Sequence, residues 1–253
     1  MSVPDEETAL LGLAPVAPDR TVAYGSHPDQ IVDFYGPRAG ADSPSGAPGP
    51  LVVLLHGGFW RAAYDRRHLS PLAAELAGRG LPVALAEYRR VGAGGGAPQT
   101  FEDVAAGVEA AVREVPDAAG VVLVGHSAGG HLALLAAARP GTPATRVIAV
   151  SPVADLAHAH ELRLSNGAVA ELLGAGPGLP ERLAAADPAR RPPPGVPVTI
   201  LHGADDDDVP LGVSQRYAAA HPEGTDLREL PGVGHYAPVT PGTPSCRLLV
   251  ALL

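Results

Sequence analysis

The stretch VVLVGHSAGGHLAL, residues 121–134, places a single hydroxyl side chain between two apolar runs. Ser127 stands in its middle, with Gly125 two residues before it and Gly129 two residues after it. A serine that merely caps a helix explains the hydroxyl and one turn glycine, but not small residues on both sides. The spacing G-x-S-x-G, set between a predicted strand and a predicted helix, matches the nucleophile elbow, a tight turn that lifts its serine clear of the sheet.

Apolar runs of strand length alternate with helical patterns over most of the chain. Predicted strands occupy residues 30–35, 51–55, 81–88, 121–125, 146–150, 196–201 and 227–230, and predicted helices occupy 70–79, 100–115, 131–138 and 213–220. The alternation predicts a doubly wound, mostly parallel sheet with helices on both faces, and with 30–35 half exposed near an edge. We expect a single α/β domain over residues 1–253, with a turn-rich loop at 37–50 and a small cap insertion at 155–194.

The composition argues against several classes of function. The net charge of −9 leaves no basic face for nucleic acid, and no apolar run reaches the roughly 20 residues of a membrane span. Acidic residues stand where a signal peptide carries basic ones, so we expect a cytoplasmic protein. One cysteine, Cys246, and no lysine exclude an intrachain disulfide, a cysteine-cluster metal site and Schiff-base chemistry on lysine. Because the chain also lacks an H-E-x-x-H pattern, we expect no metal and no cofactor.

A serine nucleophile needs a base, and the base needs an orienting acid. Ligands bind beyond the C-terminal ends of parallel strands, so the residues that follow each apolar run are the candidates. His235, in GVGHYAP after the final strand, is the predicted base, and the acid is expected in the run DDDD at 205–208. A charge run is usually a solvated loop, which we expect of three of these four aspartates. We expect His126 to point away from the substrate side of the serine, and His56 and His202 to stabilise turns.

Four segments together resemble the α/β-hydrolases of the esterase/lipase group over residues 30–253. They are HGGFW at 56–60, GHSAGG at 125–130, G-x-x-D-x-x-V-P at 203–210 and the late glycine-histidine pair. The resemblance implies an α/β-hydrolase fold and a Ser-His-Asp triad. In that family the aspartate stands three residues after the glycine of G-x-x-D-x-x-V-P, which falls on Asp206. Asp205 is the next candidate, and Asp155 is a third because some members take their acid from the preceding strand.

The segment H-G-G-x-W resembles more narrowly the kynurenine formamidases and their close esterase relatives. Esterases with an HGGG segment use its backbone N–H groups as half of the oxyanion hole. The resemblance implies that role here for Gly58 and Phe59, joined by the N–H of Ala128. Aromatic residues are scarce in the chain, yet four of them, Phe59, Trp60, Tyr64 and Tyr88, stand at or after the ends of two predicted strands and so at the same edge of the sheet. The substrate pocket is therefore expected to be lined by Trp60, Tyr64 and Tyr88, and to suit a compact aromatic or acyl group.

These features predict a cofactor-free serine hydrolase in which Ser127 attacks, His235 carries the proton and Asp206 fixes the imidazole. The expected substrate is a small ester or amide cleaved through an acyl-enzyme, with N-formyl-kynurenine the most specific candidate by kinship. An acyltransferase or thioesterase with the same triad is an alternative. A non-catalytic receptor on this fold is another, although such receptors typically lose the base or the nucleophile. The expected partner is a small molecule, with no nucleic acid and no membrane, and the chain is expected to be a monomer or homodimer.

Overall fold

The computed structural model describes residues 3–37 and 49–253, with side chains from residue 5 onward. Most of the predicted 37–50 loop, residues 38–48, lies outside the described residues. No helix in the described ranges is both long enough and apolar enough to cross a membrane.

The described strands form one sheet that contains all seven predicted strands and one more. Their bounds are β1 Arg20–Ala23, β2 Ile31–Tyr35, β3 Leu51–Leu55, β4 Val83–Ala86, β5 Val121–His126, β6 Arg146–Val150, β7 Val198–Gly203 and β8 Thr225–Leu230. They lie in the order β1-β2-β4-β3-β5-β6-β7-β8. β2 runs antiparallel to its neighbours β1 and β4, and every other pair is parallel. The strand order reverses at β3, which confirms the predicted doubly wound fold.

The strand predicted at 30–35 is more deeply placed than expected. β2 lies second from the edge, and four of its five residues are buried. The edge itself is formed by β1, whose four residues RTVA are mostly exposed. A run that short carries no readable alternation, so the sequence did not predict it.

The helices follow the strands as predicted, with additions at both ends. Their bounds are α1 Val3–Leu11, α2 Ser70–Gly78, α3 Gln99–Glu114, α4 Ala128–Ala137, α5 Leu156–Glu161, α6 Leu164–Leu173, α7 Leu179–Ala186, α8 Gly212–Ala220 and α9 Pro244–Val250. Helices α2, α3, α4 and α8 correspond to the four predicted ones, and α5 to α7 occupy the expected insertion. α1 and α9 were not predicted. In α1, two acidic residues in the first turn are a helix-start signal.

The central strand β3 shows why the strands read as continuous apolar runs. All five of its residues are buried. Leu51, Val53 and Leu55 belong to a hydrophobic cluster shared with α3, α4 and α8, whereas Val52 and Leu54 belong to a second cluster shared with α2 and α9. Because helices cover both faces, neither face of the strand needs polar residues. The polar residues are therefore left for the strand ends, where the candidate site lies.

Candidate active site

Ser127 is held by the turn between β5 and α4. Its backbone has φ 57° and ψ −120°, a conformation that costs an ordinary residue about 1–3 kcal/mol. The turn leaves no room for neighbouring side chains. A Cβ at Gly125 would lie 2.1 Å from the carbonyl oxygen of Gly129, and a Cβ at Gly129 would lie 2.1 Å from that of Leu55. Both glycines of G-x-S-x-G are therefore required by the turn, as the motif predicted.

The HGGFW segment adopts an unusual backbone beside this turn. Gly58, Phe59 and Trp60 have consecutive positive φ values of 107°, 47° and 58°. At Gly58 a side chain is excluded outright, because its Cβ would lie 2.4 Å from Cβ of Tyr64. The segment also touches the elbow, since a Cβ at Gly57 would lie 3.0 Å from Cβ of Ser127. This conformation brings the backbone of the segment next to the serine.

Three backbone N–H groups in these two loops are available to a ligand. Those of Gly58, Phe59 and Ala128 donate no hydrogen bond to any described residue. Ala128 is the first residue of α4, where helical N–H groups lack an internal partner and the positive end of the helix dipole lies. These are the three groups that the sequence resemblance implied for an oxyanion hole.

The imidazole of His235 meets the carboxylate of Asp206. Nδ1 of His235 lies 2.7 Å from Oδ2 of Asp206, and both side chains are buried. A carboxylate only accepts, so Nδ1 carries the proton and Nε2 is left as an acceptor. The other oxygen of Asp206 accepts the N–H groups of Asp208 and Val209 at 3.0 and 2.8 Å. The carboxylate is thus fixed from one side while it orients the ring on the other.

The competing acids are exposed or engaged in other contacts. Asp205, Asp207 and Asp208 are exposed, whereas Asp206 is 6% exposed. Asp155 is buried, but it caps α5 through the N–H of His158 and pairs with Arg216 at 2.7 Å. Among these aspartates, within the described residues, only Asp206 is hydrogen-bonded to His235.

A second histidine supports the same carboxylate. Nε2 of His202 lies 2.8 Å from the carbonyl oxygen of Val209 and 3.4 Å from Oδ2 of Asp206, and Nδ1 contacts the hydroxyl of Ser214 at 2.7 Å. Burial raises the pKa of Asp206, but hydrogen bonds from His202 and His235 outweigh it and hold the pKa well below its usual range. Asp206 is therefore ionised at neutral pH. His202 lies inside β7, one residue before its end, rather than just after the strand, but its ring contacts Val209 and Ser214 beyond the strand, in keeping with the turn-stabilising role that the sequence indicated.

A buried glutamate holds the HGGFW segment in place through its first residue, His56. Glu87 is 1% exposed, and its Oε1 lies 2.8 Å from Nε2 of His56. It also accepts the N–H groups of Arg66 and Tyr88, both at 3.0 Å. Nδ1 of His56 in turn lies 2.8 Å from the carbonyl oxygen of Gly57. Glu87, the residue after β4, thereby fixes the loop that follows β3, through a long-range contact that no local sequence pattern predicts.

Ser127 and His235 line one cavity of about 130 Å³. Its lining residues are Glu7, Leu11, Gly58, Phe59, Tyr64, His68, His126, Ser127, Ser165, Asp208, His235 and Tyr236. No hydrogen bond joins Ser127 to His235 in the described part of the chain, although catalytic hydrogen bonds are often formed only once substrate is bound. Of the three expected pocket residues, Tyr64 lines this cavity, and Phe59 lines it as well.

Two of the expected pocket residues are buried in the core instead. Trp60 is 1% exposed and packs its ring against His131 at 5.3 Å, because the positive φ values of the segment turn it inward. Tyr88 is 0% exposed, stacks on His56 at 4.5 Å and donates its hydroxyl to the carbonyl oxygen of His56 at 2.7 Å. The expectation that Trp60 and Tyr88 line the pocket is therefore wrong.

His126 corrects a second expectation, because it lines the cavity rather than pointing away from it. Its ring lies 4.7 Å from that of His235, and its Nε2 donates to the carbonyl oxygen of His235 at 3.0 Å. Burial, and then the nearby His235, lower the pKa of His126 well below its usual range. Burial likewise lowers the pKa of His68, on the same cavity, to about 4. Both rings are neutral at neutral pH.

The insertion reaches the cavity through one strained turn. Ser165 lines the cavity and lies in a segment with positive φ at Arg163, Ser165 and Asn166. Arg61, which directly follows HGGFW, donates to the hydroxyl and the carbonyl oxygen of Ser165 at 2.7 and 2.6 Å, and its Nε donates to Glu171 at 2.8 Å. One arginine thus ties the insertion to the loop beside the serine.

One group of side chains has the spacing of metal ligands. Ligand atoms of Asp206, Asp208 and His235 lie within 4.8 Å of one another. Both oxygens of Asp206 already accept hydrogen bonds, and Nδ1 of His235 is turned toward that carboxylate. The oxygens of Asp206 and Nδ1 of His235 are therefore already engaged in hydrogen bonds within the protein.

Known proteins resemble this chain in sequence. The model of the BD-FAE family matches residues 32–220. An uncharacterised protein of Mycobacterium tuberculosis is 33% identical over 200 residues, which cover 77% of this chain and 66% of that protein. The kynurenine formamidase of Salmo salar is 28% identical over 114 residues, which cover 45% of this chain and 36% of that enzyme. The chain spans less than two thirds of the length of either relative.

Solved structures resemble it in fold. A truncated carbohydrate esterase from gut microbiota superimposes with a TM-score of 0.76 at 19% identity, covering 95% of this chain and 98% of that one. At that identity the likeness supports the architecture alone. Together with the formamidase match, it confirms the resemblance that the sequence motifs indicated.

Proposed function

The chain belongs to the BD-FAE family of α/β-hydrolase esterases, and on that premise we propose that it cleaves a small carboxylic ester through an acyl-enzyme on Ser127. The observation that carries the proposal is that His235, which lines the same cavity as Ser127, lies 2.7 Å from Asp206. The contact leaves Nε2 of His235 as the acceptor that a serine hydroxyl requires.

In the acylation step, Oγ of Ser127 forms a bond to the carbonyl carbon of the substrate while Nε2 of His235 takes the hydroxyl proton. The carbonyl electron pair moves onto oxygen, and the N–H groups of Gly58, Phe59 and Ala128 stabilise that oxyanion. When the tetrahedral intermediate collapses, the bond to the leaving group breaks and His235 returns the proton to it. Asp206 stays ionised and holds the ring in one tautomer.

In the deacylation step, water attacks the acyl carbon and His235 takes one proton from it. The same N–H groups stabilise the second oxyanion, and the bond to Ser127 breaks as the proton returns to Oγ. The products are a carboxylic acid and the free serine. No redox change occurs, and every proton moves through His235.

The cavity limits the size of the group held beside Ser127. A cavity of about 150 Å³ holds benzene, so the 130 Å³ here suits a short acyl chain or one small ring. The rest of a larger substrate would extend past Tyr64, which is 42% exposed, and Leu11, which is 46% exposed. A short-chain ester meets this limit with its acyl group inside.

An N-formyl arylamide such as N-formyl-kynurenine is the second candidate. The HGG-x-W segment and the match to the salmon enzyme favour it, and a formyl group fits the cavity easily. The lining matches only half of its amino-acid head group, because Glu7 and Asp208 could receive the ammonium group but no arginine is among the lining residues to receive the carboxylate. The neutral ester is therefore the better fit.

The test is a substrate screen with a covalent probe. p-Nitrophenyl esters of graded chain length should be hydrolysed with a kcat/KM maximum at short chains, and N-formyl-kynurenine should be a poorer substrate. A fluorophosphonate should label Ser127, as mass spectrometry of the labelled peptide would establish. Failure to label Ser127 would overturn the serine mechanism and favour a receptor. Transfer of the acyl group to added alcohols or thiols faster than to water would favour an acyltransferase.

Two variants serve as matched controls for this screen. Ser127→Ala should abolish labelling and hydrolysis together. Asp207→Asn changes an exposed aspartate in the same acidic run and should leave both intact. Hydrolysis that persists in Ser127→Ala would place the reaction at another site.

A further inference from the structure

Helix α1 reaches the loop that carries His235 through one buried carboxylate. Glu6 is 3% exposed. Its Oε1 accepts the N–H of Gly234 at 3.0 Å, and its Oε2 accepts the N–H groups of Tyr236 and Ala237 at 3.2 and 3.0 Å. These three N–H groups flank His235 on both sides. A single side chain, 228 or more residues away in sequence, therefore fixes the backbone around the proposed base.

The charge of Glu6 is matched to backbone groups rather than to a basic side chain. None of the ion pairs in the described ranges includes Glu6. A carboxylate that accepts several N–H groups forms stronger hydrogen bonds than a neutral acceptor does, and it costs desolvation energy to bury. A neutral side chain would avoid that cost if the only requirement were to fill space under the loop.

The other contacts of this loop restrain its carbonyl groups. The N–H of Asp205 donates to the carbonyl oxygen of Val233 at 3.0 Å, and Nε2 of His126 donates to that of His235 at 3.0 Å. Glu6 restrains the N–H groups on either side. Because rotation of those peptide planes would swing the imidazole relative to Asp206, Glu6 supplies a restraint that these two contacts do not.

We propose that Glu6 is a positioning residue for the reaction: it holds the 234–237 loop so that the His235 ring meets Asp206 and faces Ser127. α1 also supplies Glu7 and Leu11 to the cavity, so the helix is part of the site rather than a separate appendage. The inference rests on the proposed serine hydrolase function, and it concerns geometry that can be measured without turnover.

The experiment compares Glu6→Gln with the unchanged protein in three measurements. Glutamine keeps the shape but replaces one acceptor oxygen with an NH₂ group that faces N–H donors. We expect kcat to fall roughly ten- to hundredfold with KM within about twofold, since small misplacements of a catalytic group act mainly on the chemical step. The low-field NMR resonance of the His235 Nδ1 proton should shift or broaden. The melting temperature is measured alongside, and activity is assayed well below it.

Thr8→Ala on the exposed side of α1, and Glu109→Gln on exposed α3 surface, control for helix substitution and for loss of one charge. Both should behave like the unchanged protein. A Glu6→Gln variant with a lower melting temperature but unchanged kcat and NMR resonance would overturn the proposal, because it would show a purely structural role.

Should Glu6→Gln not fold, Glu6→Asp, which keeps the charge and shortens the side chain, is measured by the same criteria. If neither variant folds, Glu6 serves the whole fold and the positioning role is overturned. If the unchanged protein hydrolyses no ester or amide, the proposed function fails, while the NMR comparison still decides whether Glu6 positions His235.

Discussion

Nε2 of His202 lies 3.4 Å from Oδ2 of Asp206, the same oxygen that meets Nδ1 of His235 at 2.7 Å. One carboxylate oxygen thus faces two imidazoles, only one of which lines the cavity. His202 is turned toward Val209 and Ser214, so its contact fixes the carboxylate while His235 remains available to substrate.

From this arrangement we predict that Asp206→Asn lowers kcat on the order of 10⁴-fold near neutral pH, because the amide NH₂ would favour the wrong tautomer of His235. Asp207→Asn, exposed in the same run, should retain nearly full kcat/KM. Melting temperatures are measured on each variant to separate folding from chemistry. A mild effect of Asp206→Asn together with a severe effect of Asp155→Asn would show that the orienting acid is Asp155, which follows β6, rather than Asp206.

Two replacements of Ser127 should separate its chemistry from its strain. Ser127→Ala and Ser127→Gly both lack the hydroxyl, so each should lose activity by roughly three orders of magnitude or more. Glycine adopts φ 57° and ψ −120° with little strain, whereas alanine adopts it only at a cost similar to that of serine. The glycine variant should therefore melt higher than the alanine variant, by roughly 2–4 °C per kcal/mol of strain relieved. Equal melting temperatures would mean that the elbow is unstrained.

The acidic rim of the cavity predicts a charge preference. Burial, then Asp208 and Glu7, raise the pKa of Tyr236 above its usual range, so both carboxylates act on the same side of the cavity. Among esters of matched size, anionic ones should have the lowest kcat/KM and cationic ones the highest, by roughly two- to fivefold per charge at low salt. The double variant Glu7→Gln/Asp208→Asn should lose the preference. Persistence of the preference in that variant would place its origin elsewhere.

Stability should fall on acidification through a buried histidine outside the site. Burial lowers the pKa of His131 to about 4. Between its unfolded pKa near 6.5 and the folded value, only the unfolded chain binds the proton, so the free energy of unfolding falls as pH falls, by about 1.4 kcal/mol per unit from this group. In denaturant titrations at several pH values, the free energy of unfolding of His131→Gln should depend less steeply on pH than that of the unchanged protein. The difference should correspond to the uptake of about one proton. An unchanged slope would show that His131 does not titrate in this way.

We expect dialysis against EDTA to leave kcat/KM unchanged, because the proposed acid–base pair generates the nucleophile without an ion. The cluster of Asp206, Asp208 and His235 is where a metal would act if this is wrong. Loss of activity on chelation, restored by zinc or manganese, would contradict the expectation.

The sheet and the positions of Ser127 and His235 could be predicted because each depends on a short-range pattern. Gly125 and Gly129 mark the elbow in the sequence because there is no room for a side chain at either position, so only glycine fits there. By contrast, the choice of Asp206 from four neighbouring aspartates depends on burial, which the run of identical letters conceals. The spacing of the family motif G-x-x-D-x-x-V-P indicated Asp206 as well.

The side chains that were misplaced or missed depend on long-range packing. Trp60 follows the predicted loop, but consecutive positive φ values turn it into the core, and Tyr88 is drawn under the loop by its bond to His56. Glu6 lies in a helix with little apolar patterning, and its partners are more than 200 residues away. Only its acidic first turn marked the helix at all.

The bonds between Glu6 and the 234–237 loop can form only late in the synthesis of the chain. α1 leaves the ribosome long before its partner loop has been translated, so its buried carboxylate has no N–H groups to accept until nearly all of the sheet has been made. An incomplete nascent chain therefore carries the serine elbow without a fixed base. In the proposed mechanism, Ser127 would become competent only when β8 and the loop after it have docked, so hydrolysis would wait until the chain is folded around the site.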